Sequence, residues 1–137
     1  MNRDSHSDQQ IVDILSLRTV AVIGMSKHSS KAAHYVPKYL IDSGYDVTPV
    51  NPTTNKILNI RCYDSVTEID GPVDIIDVFR PSDQISSIIH DCIKKKPKVI
   101  WLQEGIHDFE SEELARKSGI TVVFNRCMLA EHRRLTL

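Results

Sequence analysis

The stretch VAVIGMSKHSSKAAHYVPKYL, from Val20 to Leu40, decides the fold. Its first residues are apolar and end in Gly24, as a strand does when it enters a phosphate-binding turn ahead of a helix. A dinucleotide fingerprint, G-x-G-x-x-G, would set glycines where this chain has Ser26 and Ser29. The second of those glycines lets a pyrophosphate approach bare backbone, so Ser26 obstructs that approach while offering a hydroxyl. Loop amides, Ser26, Ser29 or Ser30, and Lys27 or Lys31 are therefore candidates for holding a phosphate. A plain tight turn at Gly24 is the competing reading.

Working outward, four Val/Ile-rich runs read as strands: Thr19–Ile23, Val73–Phe79, Lys98–Leu102 and Ile120–Phe124. Tyr45–Val50 is a weaker fifth. Their continuous apolar character suits strands buried on both faces, as in a parallel sheet. Helical spacing appears between them over Asp8–Ser16, Ser82–Lys95 and Asp108–Ser118, and a short charged helix over Met128–Leu135. Pro37 would cost about 3 kcal/mol inside a helix. The first crossover helix is therefore expected to begin near Val36 and run to Ser43, after a long loop over 26–35. The sum is a single α/β domain over residues 1–137, Rossmann-like, with an open, mainly parallel sheet of about five strands and helices on both faces. Residues 1–8 are expected to be a flexible lead-in.

The composition sets limits. The chain has 137 residues, 41% apolar and 26% charged, with a net charge of -1. That is ordinary for a soluble globular domain, and no bulk field attracts nucleic acid or an anionic membrane. No stretch reaches the length of a membrane span, and the polar start MNRDSHSDQQ lacks a signal peptide's apolar core. Cys62, Cys92 and Cys127 are widely spaced and odd in number, which argues against disulfides or a zinc site and for the cytoplasm. The histidines form no metal-binding pair, so no metal is expected.

A parallel sheet sends the C-terminal ends of its strands to one edge, where ligands bind. The exits there are Gly24-Met25-Ser26-Lys27, Asn51-Pro52, Phe79-Arg80-Pro81, Gln103-Glu104-Gly105 and Asn125-Arg126-Cys127. Asn51-Pro52 replaces the acidic residue that grips an adenosine ribose in NAD-binding folds, which disfavours NAD. Phe79 either caps the core or offers a flat face beside the Arg80 cation, suited to an adenine and its phosphates. Glu104 is a solvated carboxylate or a general base without partners. Cys127, beside Arg126 at a helix start, is a structural thiol or one with a lowered pKa.

The order VAVIGMS, GYDVTPVNP, IRCYDSV, VDIIDVFRP, VIWLQEG and VVFNRCMLAEH resembles the small stand-alone CoA-binding proteins of Rossmann-like fold. It is also similar to the CoA-binding domain of the succinyl-CoA synthetase alpha subunit, and the likeness runs from about Ile14 to Leu135. One departure is Asn59, where the family often has glycine. The resemblance implies coenzyme A, or an acyl-CoA, as the ligand. The loop Gly24, Met25, Ser26, Lys27, Ser30 and Lys31 would hold phosphates, and Asn51, Pro52 and Thr53 would line the nucleotide. Phe79, Arg80 and Pro81 would lie along the adenine, and Leu102, Gln103 and Glu104 along the pantetheine. The synthetase's chemistry uses a phosphorylated histidine in a following domain, for which this chain has no room, so only the cofactor site carries over. The expectation is a CoA-binding carrier, sensor or partner module, not an enzyme. A homodimer or an enzyme partner is left open. The alternatives are a mixed disulfide between Cys127 and the CoA thiol, or an enzyme using acyl-CoA or NAD.

Overall fold

The computed structural model describes residues 2–135. Five parallel strands form one sheet in the order β2-β1-β5-β6-β7: β1 (Thr19–Ile23), β2 (Asp46–Val50), β5 (Ile75–Val78), β6 (Val99–Leu102) and β7 (Thr121–Val123). Between β2 and β5 lies a small antiparallel hairpin, β3 (Lys56–Ile57) and β4 (Ile60–Arg61). Its turn residues Leu58 and Asn59 both take positive φ, a conformation that asparagine tolerates more readily than most side chains.

Alternation along each strand divides the core in two. Val20 and Val22 of β1, Ile75, Val99 and Trp101 face α1 (Asp8–Leu15), α2 (Ala32–Asp42) and α5 (Met128–Arg134). Ala21, Ile23, Ile76, Val78, Ile100 and Leu102 face α3 (Ile85–Lys95) and α4 (Phe109–Lys117). The expected doubly wound α/β domain is therefore the observed one. Pro49 sits in β2 at the sheet edge, where its missing N–H costs no ladder bond.

Two expectations need correcting. The first crossover helix begins at Ala32, not near Val36, and Pro37 lies inside it. Proline leaves the carbonyl four residues earlier without its helical donor. Here that carbonyl, Ala33 O, accepts the Ser26 N–H at 3.0 Å. The residue that seemed to forbid a longer helix thus frees an acceptor that ties the helix to the Gly24 loop. Pro37→Ala is consequently expected to change the unfolding free energy by less than about 1 kcal/mol, where relief of an interior proline would return about 3. Urea denaturation measures this, and a gain near the larger figure would mean Ser26 offers no compensation.

The lead-in is the second correction. Met1 lies outside the described residues, but Asp4 is held under the end of β7. Its Oδ2 accepts from Phe124 N–H at 2.9 Å, and its Oδ1 pairs with Arg126 Nη2 at 2.8 Å. The other arm of Arg126 pairs with Glu131 Oε1 at 3.0 Å. All three side chains are at most 5% exposed, so the segment is anchored rather than frayed.

Candidate functional site

The strand order reverses between β1 and β5: the chain winds outward to β2 on one side and to β6 and β7 on the other. In open α/β sheets the crevice outside such a switch point is where ligands sit. A cleft of about 720 Å³ opens there, lined from the β1, β2 and β5 exits and from α3. Gly24, Met25, Ser26, Lys27, Lys31, Asn51, Pro52, Thr53, Phe79 and Arg80 all border it.

Gly24 is required by the geometry. It takes φ +82°, and a Cβ there would come within 3.0 Å of both Phe79 O and Arg80 Cδ. The turn therefore brings the β1 exit against the β5 exit. Arg80 is exposed, with its Nε 2.9 Å from Gln84 Oε1, one helical turn further on. That bond holds the guanidinium at the mouth of the cleft. Lys27, His28 and Lys31 are exposed on the facing loop, so cations stand on both sides.

The loop itself is braced from within. Ser26 Oγ accepts the His28 N–H at 3.0 Å, leaving the hydroxyl proton to donate elsewhere. His34, buried, binds Ser26 O through Nδ1 at 2.7 Å. Asn51 Nδ2 donates to Met25 O at 2.9 Å while its Oδ1 accepts from Thr53 N–H at 2.8 Å and Thr53 Oγ1 at 2.7 Å. Asn51 is thereby committed to joining the β1 and β2 exits, and the Met25 side chain is fully buried in the core. Ser30 and Pro81, both exposed, do not border this cleft among its lining residues.

The β6 and β7 exits diverge from this arrangement. Leu102 and Gln103 are buried, and Glu104 and Cys127 border a separate cleft of about 290 Å³ with Arg126. Of the two readings of Cys127, the surroundings favour the structural thiol. Burial pushes its pKa up, and this outweighs the lowering effect of the Ala130 and Leu129 amides at the start of α5. Arg126, the neighbour on which a lowered value would have depended, pairs its guanidinium with Asp4 and Glu131. No group of three or more His, Cys, Asp or Glu side chains suited to a metal ion occurs among the described residues. No helix among them is long and apolar enough to cross a membrane.

Residues 18–133 match the family described as CoA binding domain. The chain belongs to the CoA-binding domain family. Within that family's reach, it is 34% identical over 127 residues to the uncharacterized protein YneT of Bacillus subtilis (strain 168), covering 92% of this chain and 94% of that one. It is 27% identical over 129 residues to an ADP-forming acetate–CoA ligase of Methanocaldococcus jannaschii, covering 88% of this chain but 18% of the ligase. The solved structure of a Thermus thermophilus protein, cell-free ID.343, superposes with a TM-score of 0.92 at 39% identity, over 95% of this chain and 99% of that one. The likeness to ligases thus concerns one segment of those enzymes.

Two features of this CoA-binding domain escaped sequence reading. Gln84, just before α3, and Ser87 and Ile88 within it line the main cleft. Their spacing from Arg80 is helical, so the signal was present once the helix start was known. Asp77 is the other. It lies mid-strand in β5 with no exposed surface, and its Oδ1 accepts from Gln103 Nε2 at 2.6 Å while Oδ2 has no partner. Burial pushes its pKa up to about 7 against the opposing pull of the Gln103 hydrogen bond. Nothing in the run VDIIDVF distinguishes this aspartate from one that ends a strand.

Proposed function

We propose that this protein binds coenzyme A or an acyl-CoA and performs no bond-making chemistry of its own, acting as a carrier, a sensor or a module for an enzyme partner. The observation that carries this reading is the switch-point cleft, where Gly24 lets two strand exits close together and sets Arg80 opposite Lys27 and Lys31. Such a lining suits the pyrophosphate and the third phosphate of CoA, which need cations and hydroxyl donors more than bare backbone. Membership of the CoA-binding domain family supports the same ligand. Ser30, Pro81, Leu102, Gln103, Glu104 and Cys127 are proposed to meet the ligand where it leaves this cleft along the sheet edge. The proposed setting is the cytoplasm, consistent with three free cysteines.

Titration calorimetry with CoA tests the reading. Arg80→Ala removes a charge-assisted phosphate contact and is expected to weaken binding by about tenfold or more. Unchanged affinity would remove Arg80 from the site. Native mass spectrometry with and without reductant separates reversible binding from a thiol tether: the neutral, half-buried Cys127 thiol predicts a CoA-sized increment that reductant leaves intact.

A further inference from the structure

We propose that Asp77 is a proton-binding positioning residue of the ligand edge: its carboxyl holds the Gln103 amide, and binding of a polyanionic CoA-type ligand draws a proton onto it. This rests on the CoA reading above. Asp77 pairs in register with Val22 of β1 and Trp101 of β6, both apolar and both without exposed surface. An apolar residue would serve the sheet better there, because a buried carboxylate with an unpartnered oxygen is costly. What the carboxyl supplies is the 2.6 Å bond to Gln103, itself 3% exposed, at the exit of the neighbouring strand.

The placement couples the carboxyl to a ligand. Asp77 lies two residues before Phe79 and three before Arg80, and Gln103 directly precedes the exposed Glu104. The Cys127 thiol, just before α5, is within electrostatic reach of both Asp77 and Glu104, which help to keep it neutral. Neither of the two causes that shift Asp77 is a charged neighbour. A ligand in the cleft brings negative phosphates to the exits of β1 and β5, just beyond the register pair Val22 and Asp77. That negative charge disfavours the carboxylate, so a proton passes from solvent to Asp77 on binding. Affinity is then greater at lower pH, by up to about tenfold for each unit by which the ligand raises the bound pKa.

Calorimetry of the full chain with CoA near pH 7, in two buffers of different ionisation enthalpy, counts the protons taken up. His28 also borders the cleft and carries an ionisable imidazole, so His28→Gln is measured in parallel. The wild type and His28→Gln are expected to take up more protons than Asp77→Asn. The affinity ratio of wild type to Asp77→Asn is expected to fall several-fold from about pH 6 to about pH 8. Gln103→Leu removes the bond that lowers the Asp77 pKa and leaves the carboxyl in place, so its uptake is expected to peak at higher pH than in the wild type. Equal proton counts in wild type and Asp77→Asn overturn the proposal while leaving CoA binding intact, and an unmoved peak in Gln103→Leu overturns the positioning role. Absence of binding heat and of thermal stabilisation by CoA in the wild type overturns the ligand reading itself, and this inference with it.

Discussion

Asp77→Asn is expected to raise the unfolding free energy at about pH 8 by as much as ~4 kcal/mol and to change it little at about pH 4. Burial pushes the native carboxyl up to about 7, against an ordinary value of 3.8. Between those values the folded state binds more protons than the unfolded chain, so stability falls as pH rises through the window. Above it the full cost of burying the charge is present. Asparagine keeps an acceptor for Gln103 Nε2 and cannot ionise, so it behaves as the protonated acid does at every pH. His132 slopes the other way: burial, aided by Arg18, lowers its pKa, so its contribution is present above the unfolded value and lost as pH falls. The difference between wild type and Asp77→Asn cancels that contribution. Chemical denaturation across this pH range checks the result, and a difference that does not vary with pH would mean the native carboxyl titrates in the ordinary range.

Arg126→Met is expected to cost about 3–5 kcal/mol at neutral pH, because it leaves Asp4 and Glu131 buried without their cation. Burial works to raise the Asp4 pKa, but hydrogen bonds from Arg126, the Phe124 N–H and His6 outweigh it and hold the carboxyl below its usual value. A depressed pKa contributes stability above the unfolded value, lost as pH falls through the folded one. The gap between Arg126→Met and wild type is therefore expected to narrow in acid, as the stranded carboxylates take up protons. The variant also releases the segment before α1, so faster amide exchange at Phe124 and over residues 3–7 should accompany the loss. Unchanged protection there would show that the segment is held by other contacts.

The strand runs, their parallel arrangement and the edge to which the strand exits point were legible because each depends on local pattern. Continuous Val and Ile runs need burial on both faces, and Gly24 at the end of β1 needs a conformation that other residues resist. The cations and hydroxyls of the loop were readable on the same ground, since their chemistry is carried by the side chains themselves. The first crossover was misread because the cost of Pro37 depends on who uses Ala33 O. The user is Ser26, brought there by the turn of the loop.

By itself, then, the sequence determined the doubly wound architecture, the family and the edge on which the strand exits converge. Only the tertiary structure decided which exits share a cleft, that Asn51 is a brace, that Asp77 is buried with one oxygen unpartnered, and that Arg126 serves Asp4 instead of Cys127. Periodicity and turn chemistry act between near neighbours and survive in a linear reading. Desolvation and ion pairing are set by residues far apart in the chain, as with Arg126 and Asp4, 122 positions distant. Their energies exist only once the strands have been ordered.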